Sequence, residues 1–420
     1  MHLVLKTLLN HVERLKGFVY ESSHLIEGRV PRIEILLRAR ERSRGACSHC
    51  QKPSPGYDRL PERRFHFVPL WGVPTYFRYA PRRVRCREHG IVVEHLPWAL
   101  GKRPLTASFA WFLASWAKLL SWQDVSRTFK TSWESVFRSV EMAVDWGRAR
   151  MDLSGISACG VDEIHWRKGR FLTLVYQINQ GMKRLLFVAE HREETSLRKF
   201  FLWLGAERSA QIRFICSDMW QPYLNVIAER AKGALNILDR YHIAAKMNQA
   251  IDEVRAKETR EVRPRNCQRK SSLVLKHSRW CLLKRVENLT ARQTVKLQEL
   301  LACHLRTVRA YLLKEQFHFF WEYASAAWAG KFLEQWCTAA MRSRLESMNK
   351  VARMLRAHKP LILNGFKARE QVALVAIEGL NNRLKADLRR SYGFRTYRAK
   401  STLYHKLGAR PEPELTHRFC

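Results

Sequence analysis

A chain of 420 residues, 46% of them hydrophobic, is long enough for two or three domains and apolar enough to bury real cores, which excludes a disordered tail. Against 38 Asp and Glu stand 75 Lys and Arg, a formal charge of +37 spread along the whole length, and such a surface calls for a polyanionic partner. No stretch approaches the roughly 18 uncharged apolar residues of a membrane-spanning helix, and Lys6, His11, Glu13 and Arg14 interrupt the opening segment as a signal core. Nucleic acid rather than membrane is the expected partner, and the cytoplasm, at the nucleoid, the expected location.

Residues 1–45 read as an N-terminal segment, a short helix followed by extended runs such as Ile33-Glu34-Ile35-Leu36-Leu37, with no chemical group standing out. From 46 to 100 the chain turns rich in Cys, His, Pro and Arg. Of the 10 cysteines only the first three are grouped. Cys47-x2-Cys50 and Cys86-x2-His89 form two ligand pairs about 35 residues apart, the pattern of a tetrahedral structural Zn²⁺ with three thiolates and one imidazole. A module of about 50 residues is too small to build a full core, so one zinc would replace it. His49 competes with His89 as the fourth ligand, and unpaired thiols in a reducing cytosol are the plain alternative.

Between 105 and 150 apolar residues recur at helical spacing, with Phe109, Phe112, Leu113, Trp116 and Leu120 on one face. Ser121-Trp122-Gln123-Asp124 reads as a capping box opening one helix, and Lys130-Thr131-Ser132 as a turn before a second helix at Trp133 to Val140. This spacing predicts a helix-turn-helix, with Arg127, Lys130 and Arg138 as DNA contacts; a purely structural helical hairpin has the same appearance.

Past Ser157 the period becomes that of strands: Ala158 to Trp166, Phe171 to Ile178 and Leu185 to Ala189, then a helix from Glu194 to Leu204, a strand at 212–216, a helix at 222–231 and a strand at 235–238. The order β-β-β-α-β-α-β predicts a mixed sheet of ribonuclease-H-like type. A long helical region follows, with a basic break in which Lys257 to Lys270 reads as a DNA clamp or a solvated loop. The predicted class is therefore multi-domain α/β. Residues 155–245 form the first part of a ribonuclease-H-like catalytic core, 246–365 an all-helical insertion, and 366–420 the core's C-terminal helix and tail. The zinc module and the helix-turn-helix precede them.

Asp162 interrupts the first strand of this region and Asp218 follows the fourth, in apolar runs where an unpartnered carboxylate costs several kcal/mol. Those two strands are neighbours in the predicted sheet. Two adjacent anions want a cation, and hard oxygen ligands favour a pair of Mg²⁺ or Mn²⁺ ions suited to phosphodiester chemistry. A late helix supplies Glu378: Ile377, Leu380, Leu384 and Leu388 make an apolar stripe beside a polar face of Glu378, Asn382, Lys385 and Arg389, with Lys385 and Arg389 as further DNA contacts. Each acid taken alone could equally be a strand-end cap or a salt-bridge partner.

The successive segments GVDEIHWRKG, FLTLVYQI, SDMWQPY, LDRYHI, SRWCLLK, ENLT, RAYLLKE, IEGLNNRLK and SYGFR occur in order, and over about residues 45 to 400 the chain resembles the DDE insertion-sequence transposases of the ISL-three type. The resemblance implies that Asp162, Asp218 and Glu378 are the catalytic, metal-binding acids. It also implies that Asp239-Arg240-Tyr241-His242 is an Asp-x-x-His element near the site, with Asp239 a rival to Asp218. Where the family carries a small polar run before the glutamate block, this chain has Ala373-Leu374-Val375. The implied function is binding of terminal inverted repeats in double-stranded DNA, cleavage, and transfer of 3′-hydroxyl ends to target DNA by a homodimer or larger assembly. A DNA-binding regulator that no longer cuts, and a nuclease without strand transfer, are the alternatives. After the catalytic helix, Arg389-Arg390 and Tyr392-Gly393-Phe394-Arg395 read as DNA-backbone contacts or as helix capping.

Overall fold

The computed structural model describes residues 5–167, 169–262, 275–303, 305–368, 375–390 and 400–413. The chain divides into two compact units, Met1–Asp152 with Asp387–Cys420, and Leu153–Ala386. Among the described residues no helix is long and apolar enough to cross a membrane.

The first unit opens with α1 (Leu5–Val12), followed by β1 (Phe18–Ile26), β2 (Arg32–Ala39), β3 (Gly45–Ala46), β4 (Pro53–Ser54), β5 (Gly56–Arg59), β6 (Arg63–Leu70), β7 (Val73–Tyr79), β8 (Arg82–Cys86) and β9 (Gly90–Val93). Ile33, Ile35 and Leu37 alternate along β2 and must bury one face. They do so in a four-stranded sheet of order β1-β2-β7-β6, antiparallel except for the parallel pair β2 and β7. Phe18, Phe65 and Tyr79 close around the fully buried Trp98, Phe18 meeting it edge-on at 4.7 Å. On the other face of β2, Glu34 is held by Arg32, Arg64 and Arg78 at 2.8, 3.0 and 3.0 Å, the compensation a buried carboxylate needs. Residues 18–39 thus share a sheet with residues 63–79.

The same unit carries α2 (Ala107–Trp116), α3 (Trp122–Thr128) and α4 (Trp133–Ala149), whose N-caps are Thr106, Ser121 and Ser132, each accepting the backbone N–H three residues on. Asp124 accepts the Ser121 hydroxyl at 2.6 Å, which stiffens the cap of α3. α4 runs past Val140 because Ala143, Val144 and Gly147 prolong its buried stripe. The C-terminal helix Ser401–Leu407 packs on α4.

The second unit comprises β10 (Ala158–Arg167), β11 (Arg170–Asn179), β12 (Met182–Glu190), α5 (Glu194–Leu204), α6 (Ala206–Ala210), β13 (Phe214–Ser217), α7 (Gln221–Arg230) and β14 (Leu235–Leu238). Its sheet has the order β12-β11-β10-β13-β14. The first three strands form an antiparallel meander, and β13 and β14 continue it in parallel. Beyond β14, α8 (Arg240–Val262) leads to α9 (Arg279–Leu283), α10 (Ala291–Leu301), α11 (Arg306–His318), α12 (Ala326–Arg342), α13 (Glu346–Ala357) and α14 (Lys359–Lys367). They bury a core of Ile251, Phe320, Leu333, Trp336, Met348 and Leu355. Glu258 on α8 caps α11, accepting the Arg306 and Thr307 N–H groups at 2.8 Å each. The helix α15 (Val375–Arg390) returns to the sheet.

Two helical layers flank that sheet. Tyr223 of α7 bonds Thr173, which sits opposite Glu163 in the β10–β11 pair, so α7 covers the Glu163 face. α15 covers the opposite, Gly160 face: a Cβ at Gly160 would stand 2.5 Å from Ile377 Cδ1, and only glycine admits the helix so close.

Candidate active site and metal centre

The parallel strands β10, β13 and β14 are aligned with Gly160 opposite Cys216 and Cys216 opposite Ile237. Two residues beyond this row stand Asp162, Asp218 and Asp239, one per strand. Asp218 directly follows the strand next to β10, and Asp239 directly follows the strand one further out. The Asp239 carboxylate accepts the Tyr241 N–H at 2.9 Å at the start of α8. That turn sets the His242 ring beside Asp162, with Nε2 3.7 Å from Oδ1. The His242 pKa is raised first by its bond to Asp162, against the opposing effect of burial, with the charges of Asp162, Asp239 and Asp218 adding to it. One imidazole therefore feels all three acids.

Asp162 is also anchored from the helical side. Ile377, Leu380 and Leu384 are buried on α15, whereas Asn382, Lys385 and Arg389 are exposed, as the periodicity requires. Asn381 belongs to the buried stripe; its amide N–H donates to Asp162 Oδ2, and its carbonyl accepts the Tyr176 hydroxyl at 2.6 Å. Glu378 lies in the turn between Ile377 and Asn381. Its side chain, residues Ala373 and Leu374, and the side chain of Val375 lie outside the described residues.

Asp218 is engaged by a residue that the sequence does not signal. Arg192, in the loop between β12 and α5, reaches Asp218 Oδ2 at 2.8 Å and Glu163 Oε1 at 2.7 Å, and its guanidinium lies 4.7 Å over the Trp220 ring. The approach to Glu163 is close but poorly directed, so neither Arg192 Nε nor Glu163 Oε1 completes a hydrogen bond. Burial, and next the charge of Asp218, push the Glu163 carboxyl up to about 7. Glu163 and Asn381 stand inside the blocks G-V-D-E and E-G-L-N-N, adjacent to residues already singled out. Arg192 belongs to no motif.

In the first unit, β3, β4, β8 and β9 draw Cys47, Cys50, Cys86 and His89 together, their ligand atoms all within 4.8 Å of one another. The Cys50 and Cys86 sulfurs are 3.7 Å apart, and His89 Nδ1 lies 3.5 and 3.8 Å from Cys86 and Cys47. A tetrahedral ion with bonds of about 2.3 Å to sulfur and 2.0–2.1 Å to nitrogen needs separations of about 3.5–3.8 Å. The group can hold a metal. Hydrogen bonding with His89, then the Glu88 and His89 N–H groups, draw the Cys86 thiol down to about 6, toward the thiolate a metal takes. His49 stacks on the His89 ring at 5.0 Å and is not one of the four. Glu94, bridged to Cys47 through the backbone, is buried and takes the Arg82 guanidinium and the Tyr79 hydroxyl at 2.7 Å each, which stiffens the module.

Arg127 on α3, Lys130 in the turn and Arg138 on α4 are exposed; Arg138 pairs with Glu134 at 2.6 Å. Lys130 has a left-handed backbone, φ 48°, that tightens this turn. Of the basic stretch 257–270, residues 257–262 end α8; residues 263–270, and Tyr392 to Arg395, lie outside the described residues, as does the side chain of Arg390.

A 28% identity over 416 residues, 94% of this chain and 90% of the relative, links it to the transposase for insertion sequence element IS1557 of Mycobacterium tuberculosis. The transposase for insertion sequence element IS1001 of Bordetella parapertussis is 26% identical over 352 residues, 83% of this chain and 85% of the relative. The sequence pattern of a family described as transposase, of the ISL-three type, matches residues 159–401, from β10 through α15. With more than half its length matched, the chain belongs to the ISL-three family of transposases.

Proposed function

We propose that this chain is the DDE transposase of an insertion sequence, which binds the element's terminal inverted repeats, cleaves phosphodiester bonds at its ends and transfers the 3′-hydroxyl ends to target DNA. The observation that carries this reading is the placement of Asp162 on β10 beside Asp218 and Asp239 at the ends of the neighbouring strands, together with the Asn381 bond that ties the helix of Glu378 to Asp162. An antiparallel meander continued by two parallel strands supports a ribonuclease-H-like core, interrupted by helices between Asp239 and Glu378. The transposase relatives support the class of substrate.

The oxygen donors fit two hard divalent cations, Mg²⁺ or Mn²⁺: Asp162 and Asp218 are largely buried carboxylates that already draw on His242, Asn381 and Arg192 for compensation. Asp162, Asp218 and Glu378 would hold the ions, with Asp218 preferred over Asp239 because its strand adjoins β10. When bound, such a pair activates the attacking oxygen and steadies the leaving one. The chain's own groups do the rest of the positioning. Asn381 fixes the carboxylate of Asp162, and His242 presents Nε2 beside it, where it can orient a phosphate.

In the first unit, one Zn²⁺ on Cys47, Cys50, Cys86 and His89 acts as a structural staple. α3 and α4 act as a helix-turn-helix, with Arg127, Lys130 and Arg138 on phosphates or bases, and Lys385 and Arg389 follow the DNA backbone. Pairing of two element ends calls for a homodimer or larger assembly, at work on the nucleoid.

The test is a reaction containing the chain, Mg²⁺, duplex ends carrying the terminal repeat and a target plasmid. Ends joined to the plasmid are the expected product. Cleavage without joining would leave a nuclease, and end binding with neither would leave a regulator.

A further inference from the structure

Arg192 and the Glu163 it contacts are left without a role by the proposed reaction, and the Arg192 geometry is specific. Its guanidinium spans two carboxylates that face each other across it, with side chains only 10% and 11% exposed. Its backbone is fixed: the preceding His191 has φ 69°, donates its N–H to Phe171 at 2.9 Å, and accepts the Thr173 hydroxyl at 2.6 Å through its carbonyl. The loop is held through both backbone groups of His191, so turning about its own side-chain bonds is the direct way for the guanidinium to leave the acids. It has somewhere to go. The side chain is 34% exposed, so the guanidinium can turn outward into solvent; in the present pose it also lies 4.7 Å over the Trp220 ring. The misdirected contact with Glu163 makes the bridge weaker than a bidentate fork.

We propose that Arg192 is a resident counter-ion that a divalent cation must displace from Asp218 and Glu163, so that the chain's own guanidinium sets how tightly the catalytic site takes up metal. This rests on the reading of Asp162 and Asp218 as metal ligands. Arg192 compensates the two acids until metal arrives, which keeps buried like charges from repelling one another, and its departure sets a free-energy cost on loading. It is a positioning residue that acts through Asp218.

The test is Mn²⁺ binding to the full, zinc-loaded chain, followed by the electron paramagnetic resonance of free Mn²⁺, with the site defined as the binding lost in Asp162→Asn. Arg192→Gln is expected to bind Mn²⁺ about tenfold more tightly than wild type, as removal of a partly exposed competing ion pair requires. Arg192→Lys, which keeps the charge but cannot span both acids, should fall between them. Arg198→Gln makes the same charge change at a guanidinium that pairs with Glu194 and Glu229 instead, and should leave affinity unchanged. Unchanged or weaker binding in Arg192→Gln, or an equal gain in Arg198→Gln, overturns the counter-ion role while leaving the metal site standing. If neither wild type nor Arg192→Gln shows binding that depends on Asp162, the metal reading falls and the counter-ion role falls with it.

Discussion

The side-chain amide of Asn381 donates to the carboxylate of Asp162, joining α15 to β10 across 219 residues of sequence. That single bond fixes the helix that carries Glu378 relative to the first acid. The Asn381 carbonyl is in turn held by a buried tyrosine hydroxyl. Replacing Asn381 by Ala strips Asp162 of this donor and leaves the Tyr176 hydroxyl without its acceptor. Loss of such an outer partner typically costs a metal site about 10- to 100-fold in activity or affinity. Cleavage by Asn381→Ala should fall by that amount in a single-turnover assay, with affinity for end DNA unchanged. Undiminished cleavage would mean that the bond does no positioning.

Gly160 admits Ile377 where any Cβ would collide, at 2.5 Å from Cδ1 and 2.7 Å from Cγ1. Ile377 is buried and has little room to retreat. Gly160→Ala should therefore lower stability by about 1–3 kcal/mol, the usual cost of overpacking, and reduce cleavage by shifting α15. Adding Ile377→Val should recover part of both losses. If the double variant is no better than Gly160→Ala in thermal melts and cleavage, the collision is not the cause.

One zinc per chain is expected by elemental analysis, retained in His49→Ala and lost in Cys50→Ser and His89→Ala. Because protons compete with the metal for the thiolates and the imidazole, zinc should be released on acidification, at a pH below the value of about 6 that the Cys86 thiol has without metal. Zinc kept by His89→Ala but lost by His49→Ala would exchange the two histidines as ligands.

His405 gives the first unit an acid sensitivity. Its Nε2 lies 2.7 Å from the Ala114 carbonyl, and Arg410 donates to its Nδ1, which requires the neutral ring. Burial, and next the Arg410 charge, push its pKa down to about 3. An unfolded histidine titrates near 6.5, so the unfolded chain takes up the proton first; the contribution is whole above that pH and is lost as pH falls, by roughly 2 kcal/mol at pH 5. His66, lowered to about 4 by burial, acts in the same direction. Thermal melts should show the midpoint falling from pH 7.5 to pH 5, and less steeply in His405→Gln. An unchanged slope in that variant would remove His405 as the source.

The core of the second unit was legible because its signals are local. Apolar strand runs broken by Asp162 and Asp218, and the period of α15, each declare themselves within about ten residues. The pairing of residues 33–36 with residues 75–78 was not, since no turn connects two parallel strands so far apart and either could have found another partner. The same holds for Arg192, whose importance lies in the acids it reaches and not in its neighbours in sequence. Asn381 reads as one more polar residue of a helix until the sheet face beneath it is known. The capping serine at 121 was readable; Ser132, read as part of a turn, caps α4, and that helix runs on to Ala149 past the expected end at Val140 because Ala143, Val144 and Gly147 are buried.

Single-turnover cleavage of end-containing DNA with Mg²⁺ by Asp162→Ala, Asp218→Ala, Glu378→Ala and Asp239→Ala, with DNA affinity measured in parallel, tests the proposed site most directly. The first three should lose activity on the order of a thousandfold while still binding the ends, as removal of groups acting as one unit does. Asp239→Ala, whose carboxylate serves the first turn of α8, should retain more. Full cleavage by any of the first three variants, or a greater loss in Asp239→Ala than in Asp218→Ala, would contradict the assignment.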